Sequence, residues 1–390
     1  MKRRTFLKLG LVAPTFLYIG CGRRTSDAKF TPATNTGFDY IEAEGSHYDI
    51  GYAIGKYCGD TIRAIMKDRA EWLDNILSIE ESPSGREFSA DMFDTLEATF
   101  PNFILELHGM AEGSGIDFRK IWAMSIKSEL EAHGEENPGC STIYYNKNGN
   151  NWLFHNEDGH DAYHRRMLVL RAKPPSGVSF YTLVYPGIIP GVGPSMNDRG
   201  IIQTTNFIGT TRPGRGIPRY FLGRAILEAK SLDEAVEFAT MAPRAFPWHH
   251  NLASTKTGEY ISVETLPEGE VGKSNPEDIY LHTNHAIHPR TTSYVHQDLE
   301  YKNSSSISRY RVLSKKIEDT GGEIAKPGVA LDWLSSHESR PYSPCRHPEG
   351  DIMGRTLATA FFDIGNRTMM IYKGNPCEAV PNTAAREYKF

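Results

Sequence analysis

The sequence lacks the features that mark several common classes of function. Its formal net charge is only −5 over 390 residues, which gives neither a basic surface for nucleic acid nor a long acidic tail. It has no Cys-x-x-Cys and no His-Glu-x-x-His, the spacings typical of zinc sites. The glycine-rich stretch 187–193 lacks the spacing of a phosphate-binding loop, and no Lys-Ser or Lys-Thr follows it. We therefore expect no nucleic-acid partner, no metal and no cofactor.

Cysteine is also scarce, and its count is odd. The five cysteines are Cys21, Cys58, Cys140, Cys345 and Cys377. An odd number at such wide spacing predicts no disulfide framework. Two alternatives stay open for Cys345 and Cys377, namely a disulfide between them or two free thiols. Buried free thiols are the favoured alternative.

The apolar run near the N-terminus is too short to span a membrane. Leu9–Ile19 follows the basic stretch Lys2–Lys8, which contains a twin arginine. This pattern predicts a twin-arginine export signal over residues 1–21, followed by a polar tether over 22–36. We therefore expect the twin-arginine machinery to export the protein across the bacterial inner membrane.

The junction Gly20-Cys21 leaves the mode of membrane attachment open. Three outcomes are compatible with it: acylation of Cys21 after cleavage, ordinary cleavage nearby, and an uncleaved anchor. The first outcome gives a lipid anchor. We expect either a periplasmic protein or a membrane-anchored lipoprotein.

The stretch from Asn137 to Asp158 has the pattern of a turn followed by a β-hairpin. Ser141–Asn146 is rich in β-branched and aromatic residues, as strands prefer. Asn148-Gly149 is a strong two-residue turn signal, and Trp152–Glu157 predicts the returning strand. A hairpin brings residues near its two outer ends together, so Cys140 is expected near Asn156 and Asp158.

This placement gives Cys140 a neighbouring carboxylate but no evident base. A free thiol has a pKa of about 8.5 and must lose its proton before it attacks a carbonyl. Cleavage of the chain before Cys140 would supply an α-amine with a pKa of roughly 7.7–8.0, at a cost of only about 1 kcal/mol for the proton transfer. A lysine, at roughly 10.4, would stay protonated at neutral pH. A cut before Cys140 therefore provides the missing base.

The sequence Gly139-Cys140-Ser141-Thr142, with Asn156 and Asp158 downstream, resembles the N-terminal-nucleophile hydrolases of the peptidase C45 family. That family includes the acyl-CoA:6-aminopenicillanic acid acyltransferases and is related to the choloylglycine hydrolases. The spacing of 18 residues from Cys140 to Asp158 matches the acyltransferase pattern. Choloylglycine hydrolases carry an arginine two residues before the aspartate, where this chain has Asn156, which argues against a bile-salt substrate.

The resemblance assigns roles to four further residues. Asp158 would accept hydrogen bonds from the α-amine of Cys140 and orient it. Asn206 matches the family's oxyanion-hole asparagine, and Asn284 matches a second asparagine in a Thr-Asn segment. Arg309 matches the arginine of a Ser-x-x-Arg segment, where it would offset Asp158 and favour the thiolate. The resemblance thus implies a catalytic set of Cys140, Asp158, Asn206, Asn284 and Arg309.

A cysteine–histidine enzyme is the competing assignment for Cys140. The chain has 14 histidines, so a histidine near the thiol is easily found. Such an enzyme could use His155, His160 or His285, and the pair His249-His250 beside Asn251 is equally suggestive.

The resemblance also implies the fold and the domain organisation. We expect an α+β fold, a four-layer αββα sandwich of the N-terminal-nucleophile hydrolase type, formed by one domain over residues 37–390. A helical pro-segment over 37–139 would precede the nucleophile-bearing part over 140–390. One helix is predicted from Ser46 to about Leu77, with Gly51 and Gly55 on the face that packs closely against a sheet.

Together these expectations describe an enzyme. It would cleave itself before Cys140 and hydrolyse linear amides, small-molecule N-acyl compounds, through an acyl-enzyme thioester, with acyl transfer as a further outcome of the same chemistry. The alternative is an exported binding lipoprotein that keeps the scaffold without catalysis.

Overall fold

The computed structural model describes most of the chain beyond the predicted signal. The described residues are 28–33, 37–131, 139–210, 212–267, 269–292, 304–382 and 385–390. The predicted export signal, the lipidation candidate Cys21 and most of the predicted tether lie outside them. Within them, no helix is both long and apolar enough to cross a membrane.

The strands of the described residues form two sheets. They are β1 (Lys29–Thr31), β2 (Asp39–Glu44), β3 (Ser141–Lys147), β4 (Asn150–His160), β5 (Leu168–Lys173), β6 (Phe180–Val184), β7 (Ser195–Asn197), β8 (Ile201–Phe207), β9 (Trp248–Ser254), β10 (Tyr260–Thr265), β11 (Val271–Ser274), β12 (Ile279–His282), β13 (Gly354–Asp363), β14 (Thr368–Lys373) and β15 (Ala385–Lys389). The nine-stranded sheet has the order β1-β2-β5-β6-β7-β8-β9-β10-β11, and the six-stranded sheet β12-β3-β4-β13-β14-β15. The pair β2–β5 is parallel, and the other pairs are antiparallel.

Helices cover the outer faces of both sheets. Those described are α1 (His47–Asp68), α2 (Ala70–Glu81), α3 (Pro83–Thr99), α4 (Pro101–Ser114), α5 (Phe118–Ser125), α6 (Lys127–Glu131), α7 (Arg219–Ile226), α8 (Leu232–Thr240), α9 (Ser304–Asp319), α10 (Pro327–Leu334) and α11 (Pro376–Ala379). Helices α9, α10 and α11 share a buried apolar cluster with β3, β4 and β13, while α7 and α8 share one with β8, β9 and β10. The inner faces of the sheets meet where Tyr144 of β3 stacks on Tyr260 of β10, with 4.1 Å between ring centroids. The predicted four-layer αββα sandwich is confirmed.

Helices α1 and α4 approach each other unusually closely. A side-chain carbon at Gly51 of α1 would clash with the backbone carbonyl of Glu106, and one at Gly109 of α4 would clash with that of Tyr48. The predicted packing of the α1 glycines against a sheet is therefore wrong, because they face α4. The single predicted helix is also wrong: it ends at Asp68, and α2 begins after Arg69.

Two buried ionic contacts join the early helices to the later part of the chain. Glu106 of α4 lies 2.9 Å from the guanidinium of Arg224 on α7, and both side chains are fully buried. His47, at the start of α1, lies 2.9 Å from Glu228, and Glu228 also pairs with Arg224 at 2.9 Å. Since breaking a buried pair leaves an uncompensated charge, these contacts hold residues 47–131 firmly against the body of the protein.

The predicted hairpin is formed by β3 and β4. Asn148 and Gly149 at its turn have φ angles of 54° and 77°, as a two-residue type I′ turn requires. The strands pair from Lys147 opposite Asn150 to Ser141 opposite Asn156. This register places Cys140, one residue before β3, level with Glu157.

Candidate active site

Cys140 lines a cleft whose wall includes residues of both sheets. Its side chain is buried, and its sulfur lies 4.0 Å from a carboxylate oxygen of Glu157 and 3.9 Å from the backbone carbonyl of Asp158. Burial, followed by the charges of Glu157 and Asp158, raises the pKa of the thiol well above its ordinary value, and Arg309 only partly opposes this. In the continuous chain the sulfur is therefore a protonated thiol, and it needs a further base to become a nucleophile.

Strand alternation places Asn156 and Glu157 on opposite faces of the hairpin. The side-chain amide of Asn156 donates to the carbonyls of Leu334 and Pro344, both at 3.0 Å, and its oxygen accepts from Thr359 at 2.7 Å. The expectation that Asn156 lies near Cys140 holds for the backbone but is wrong for the side chain. Glu157, which the sequence analysis missed, occupies that position; the two-residue period of the strand is the signal that would have found it.

Asp158 lies beside the peptide bond that joins Gly139 to Cys140. One of its carboxylate oxygens is only 3.0 Å from the place that a side-chain carbon at residue 139 would occupy. Both oxygens are buried, and neither makes a hydrogen bond of normal geometry. Burial raises the pKa of Asp158 to about 7, against the lowering effect of Arg346, Arg309 and the nearby Thr356 hydroxyl. A buried carboxylate without hydrogen bonds lowers the stability of the fold, so a hydrogen-bond donor placed beside Asp158 would be bound favourably.

Arg309 holds the backbone of the candidate nucleophile. From α9, its guanidinium donates to the carbonyl oxygen of Cys140 at 2.7 Å and to the hydroxyl of Ser141 at 2.9 Å. Burial lowers the pKa of Arg309 to about 10, while Asp158 opposes that shift. The residue therefore stays charged at neutral pH and fixes the orientation of Cys140.

Asn284 is connected to the site through Arg309. Its side-chain oxygen accepts from Arg309 at 2.8 Å, and its amide nitrogen donates to the carbonyl of Phe207 at 2.9 Å. Among the contacts of the described residues, Asn284 reaches Cys140 only by way of Arg309. The geometry thus makes it a residue that positions the arginine.

Asn206 presents an unused hydrogen-bond donor at the end of β8. Its oxygen lies within bonding distance of Thr142 (3.0 Å), Asn251 (2.8 Å) and His249 (3.0 Å). These contacts fix the orientation of the amide, and its buried nitrogen has no partner. A fixed amide with a free N–H is the arrangement that a developing oxyanion requires.

Two of the histidine candidates, His155 and His249, are engaged by other residues, whereas neither ring nitrogen of His250 has a hydrogen-bond partner in the described part of the chain. The ring of His155 lies within 4.8 Å of the Cys140 sulfur, but its nitrogens are engaged by Thr142 at 2.8 Å and by Glu157 at 3.2 Å. His249 contacts Asn206 and Ser262, and burial lowers its pKa well below the ordinary value. His155 thus acts on the glutamate beside the thiol, and the described hydrogen bonds include none between the thiol and a histidine.

The cleft beyond Cys140 contains a buried arginine that the sequence analysis also missed. Arg219, at the start of α7, has its guanidinium 4.6 Å from the ring centre of Phe207 and 4.9 Å from those of Tyr220 and Phe246. One terminal nitrogen donates to Ser128 at 2.6 Å, while the other terminal nitrogen and Nε have no hydrogen-bond partner. The wall of the cleft therefore combines aromatic rings with ionisable side chains, and Arg219 contributes two cationic donors that have no hydrogen-bond partner.

Comparison with known proteins decides the family. The family model of the acyl-coenzyme A:6-aminopenicillanic acid acyl-transferases matches residues 145–378, which is more than half of the chain. The chain belongs to this family. The resemblance stated above predicted this family, and the coarse assignment as an amide hydrolase of the N-terminal-nucleophile type is confirmed.

Individual relatives of this acyl-transferase family member are distant. The beta-alanyl-dopamine/carcinine hydrolase of Drosophila melanogaster is 24% identical over 391 residues, with 88% of this chain and 94% of the relative covered. An N-acylethanolamine-hydrolyzing acid amidase ortholog of Caenorhabditis elegans is similar in structure at a TM-score of 0.40 and 12% identity, covering 58% of this chain and 93% of that one. A conjugated bile acid hydrolase mutant from Clostridium perfringens gives 0.39 and 12%, covering 65% and 97%.

Proposed function

We propose that this protein is a self-processing cysteine hydrolase of linear N-acyl amides, with Cys140 as its N-terminal nucleophile. The observation that carries the proposal is the buried carboxylate of Asp158, which lies beside the Gly139–Cys140 bond without a normal hydrogen bond. Cleavage of that bond creates an α-ammonium group next to this carboxylate. The group that the site lacks is therefore the group that the cut produces.

Self-processing follows from the position of the thiol. The sulfur of Cys140 attacks the carbonyl carbon of Gly139, the peptide C–N bond breaks, and the thiol proton passes to the released α-amine. Water then hydrolyses the resulting thioester, leaving a carboxylate on Gly139 and a free thiol on Cys140. Arg309 holds the carbonyl of Cys140 during this step. A side-chain carbon at residue 139 would overlap a guanidinium nitrogen of Arg346, so a larger residue there would displace that arginine.

Catalysis on an external amide repeats this chemistry with the new amine as base. The α-amine takes the thiol proton, Asp158 stabilises the ammonium, and the thiolate attacks the acyl carbonyl. The free N–H of Asn206 stabilises the oxyanion. The ammonium then protonates the leaving amine, and water releases the acyl group from the thioester. An amine in place of water makes the same step an acyl transfer.

The cleft indicates the chemical class of the substrate. Its aromatic wall favours an apolar group, and the two unused donors of Arg219 favour a carbonyl or carboxylate on the part of the molecule that faces them. We therefore propose a small-molecule N-acyl amide that bears a second acceptor group. Export by the twin-arginine machinery and a lipid anchor at Cys21 stay predictions, because they concern residues that the structure does not describe.

Intact mass spectrometry of the purified full chain tests processing. We expect two fragments divided between Gly139 and Cys140 in the wild type and in Cys58→Ala, and one continuous chain in Cys140→Ala. A library of acyl amides, assayed by released amine, then tests hydrolysis. Cleavage at this bond or amide hydrolysis by Cys140→Ala would overturn the proposal. A continuous wild-type chain whose Cys140 resists acylating thiol probes would favour a binding protein.

A further inference from the structure

We infer that His337, Cys345, His347 and Cys377 form a zinc site. The nitrogen Nε2 of His347 lies 3.2 Å from Nε2 of His337, 3.6 Å from the sulfur of Cys345 and 3.4 Å from that of Cys377. All four donor atoms lie within 4.8 Å of one another. Four donors of metal-binding type thus converge on one point outside the nucleophile site.

The three distances from His347 to the other donors are compatible with a tetrahedron around zinc. Zinc binds histidine nitrogen at about 2.0–2.1 Å and cysteine sulfur at about 2.3 Å in tetrahedral sites. The edges of such a tetrahedron are about 3.3 Å between two nitrogens and about 3.6 Å between nitrogen and sulfur. The three separations that involve His347 match these edges within about 0.2 Å.

The donor set and its surroundings select the metal and its role. Two thiolates and two imidazoles suit zinc, whereas magnesium and calcium prefer oxygen ligands. Four protein ligands fill the tetrahedron and leave no position for substrate, so the ion is structural. The amide nitrogen of Asn375 lies 3.5 Å from the sulfur of Cys345, which supplies the outer hydrogen bond that steadies a metal thiolate.

Zinc binding needs no oxidant or reductant, because it changes no oxidation state. Two zinc–sulfur and two zinc–nitrogen bonds form, and each cysteine releases its thiol proton to solvent. The two thiolate charges neutralise the ion. In the described residues Cys345 and Cys377 are not joined by a disulfide, so both sulfurs are available.

The fold explains why the expectation of no metal missed this site. His337 follows α10, Cys345 and His347 lie in the loop before β13, and Cys377 lies in α11. Cys377 is 30 residues beyond His347, and the hairpin of β13 and β14 brings it back. Three of the ligands lie in the loop between α10 and β13, and the fourth lies in α11. Such a site does not show the short spacings between ligands that are typical of zinc motifs.

The metal site would position a residue of the nucleophile site. Arg346 lies between the two ligands Cys345 and His347, and its side chain lies against Gly139. Its backbone N–H donates to the hydroxyl of Thr356 at 2.9 Å, and Thr356 pairs with Asp158 across β13 and β4. Fixing residues 345 and 347 to an ion therefore fixes the arginine that offsets the charge of Asp158.

Elemental analysis of the purified full chain tests the site directly. After desalting under reducing conditions, we expect about one zinc per wild-type chain and per Cys58→Ala chain. His337→Gln and Cys377→Ser change partly exposed residues, and we expect each to retain less than about a fifth of that zinc. Circular dichroism checks that these variants fold. Zinc below a fifth of an equivalent in the wild type, even after reconstitution with zinc chloride, would overturn the inference.

Two further measurements do not depend on a variant. Cobalt substitution of the wild type should give the intense visible absorption of a tetrahedral thiolate site, and an octahedral spectrum would contradict the assignment. Peptide mapping without reductant should find free Cys345 and Cys377, and a disulfide between them in the native protein would also overturn it. Metal content is read without any substrate, so its outcome is separate from that of the proposed hydrolase.

Discussion

The two thiol sites of this chain differ in what surrounds the sulfur. Cys140 faces the carboxylate of Glu157 at 4.0 Å, whereas Cys345 and Cys377 face the imidazole of His347 at 3.6 and 3.4 Å. A thiolate among carboxylates needs a nearby cation, which the proposed cut before Cys140 would supply. Thiols among imidazoles form a ready set of ligands, and a metal ion is the cation that suits them. The neighbours therefore decide whether a cysteine becomes a nucleophile or a ligand.

The sharpest test of this contrast removes one sulfur at a time. Cys140→Ala should reduce amide hydrolysis at least about 1000-fold, because no other group supplies the acyl acceptor. Cys377→Ser should retain self-processing and most of the hydrolysis, since it only loosens the loop of Arg346. Amine release by each purified variant measures both effects. Equal losses in the two variants would break the distinction between the sites.

Asp158→Asn should weaken catalysis and stabilise the continuous chain. We expect hydrolysis to fall about 100- to 1000-fold, because the α-ammonium of Cys140 loses its counter-charge. The pKa of Asp158 is raised to about 7 in the continuous chain, so the folded form holds a proton that the unfolded form releases from about pH 4 upward. Stability therefore falls as the pH rises through this window.

The stability effect is measurable in a Cys140→Ala background, which keeps the chain continuous. Adding Asp158→Asn should raise the free energy of unfolding at pH 8 by up to about 4 kcal/mol and change it little near pH 4. Urea unfolding at the two pH values gives the difference. If the substitution raised the free energy of unfolding equally at pH 4 and pH 8, ionisation of the Asp158 carboxylate would not be the cause of the lower stability at pH 8.

Asn206→Ala tests the proposed oxyanion donor at the end of β8. We expect kcat to fall about 100- to 1000-fold, or roughly 3–4 kcal/mol, with little change in KM, because the lost N–H acts in the transition state. Asn156→Ala is the matched control, since it removes a buried amide of the hairpin that faces away from the thiol. A similar loss of kcat in the control would assign the effect to folding.

The smallest expected effect concerns substrate choice. Arg219→Met keeps the volume of the side chain and removes the two unused donors. For amides with a carboxylate or second carbonyl, we expect kcat/KM to fall about 10-fold through KM, and for purely apolar amides we expect little change. Steady-state kinetics on matched pairs of amides measure the ratio. An equal fall for both members would make Arg219 a structural residue.

The sequence predicts local features of this fold well and distant contacts poorly. The Asn148-Gly149 turn and the two strands beside it follow from short-range pattern, and the β3–β4 hairpin confirms them. The break at Arg69 was missed because the apolar periodicity continues through it from α1 into α2. The glycines of α1 were assigned to a sheet, although Gly109 and Gly113 of α4 share their four-residue spacing and were the signal for close packing of two helices.

The candidate site shows the same limit. Its set of Asp158, Asn206 and Arg309 came from resemblance to a family. The fold brings Asp158 and Arg309 into contact with Cys140, and Asn206 into contact with Thr142. Arg219 was not found because its meaning depends on aromatic rings from three separate segments. A buried arginine without a carboxylate partner is visible only when the surrounding residues are in place.

The buried pair of Glu106 and Arg224 has a consequence for the processed protein. The proposed cut leaves these two residues on different polypeptides that have already folded together. The fragments should therefore co-migrate on a sizing column and separate only in denaturant. Residues 140–390 produced alone should aggregate or unfold. Without the first fragment, Arg224 loses its buried partner Glu106, and the surface that the early helices cover becomes exposed to solvent.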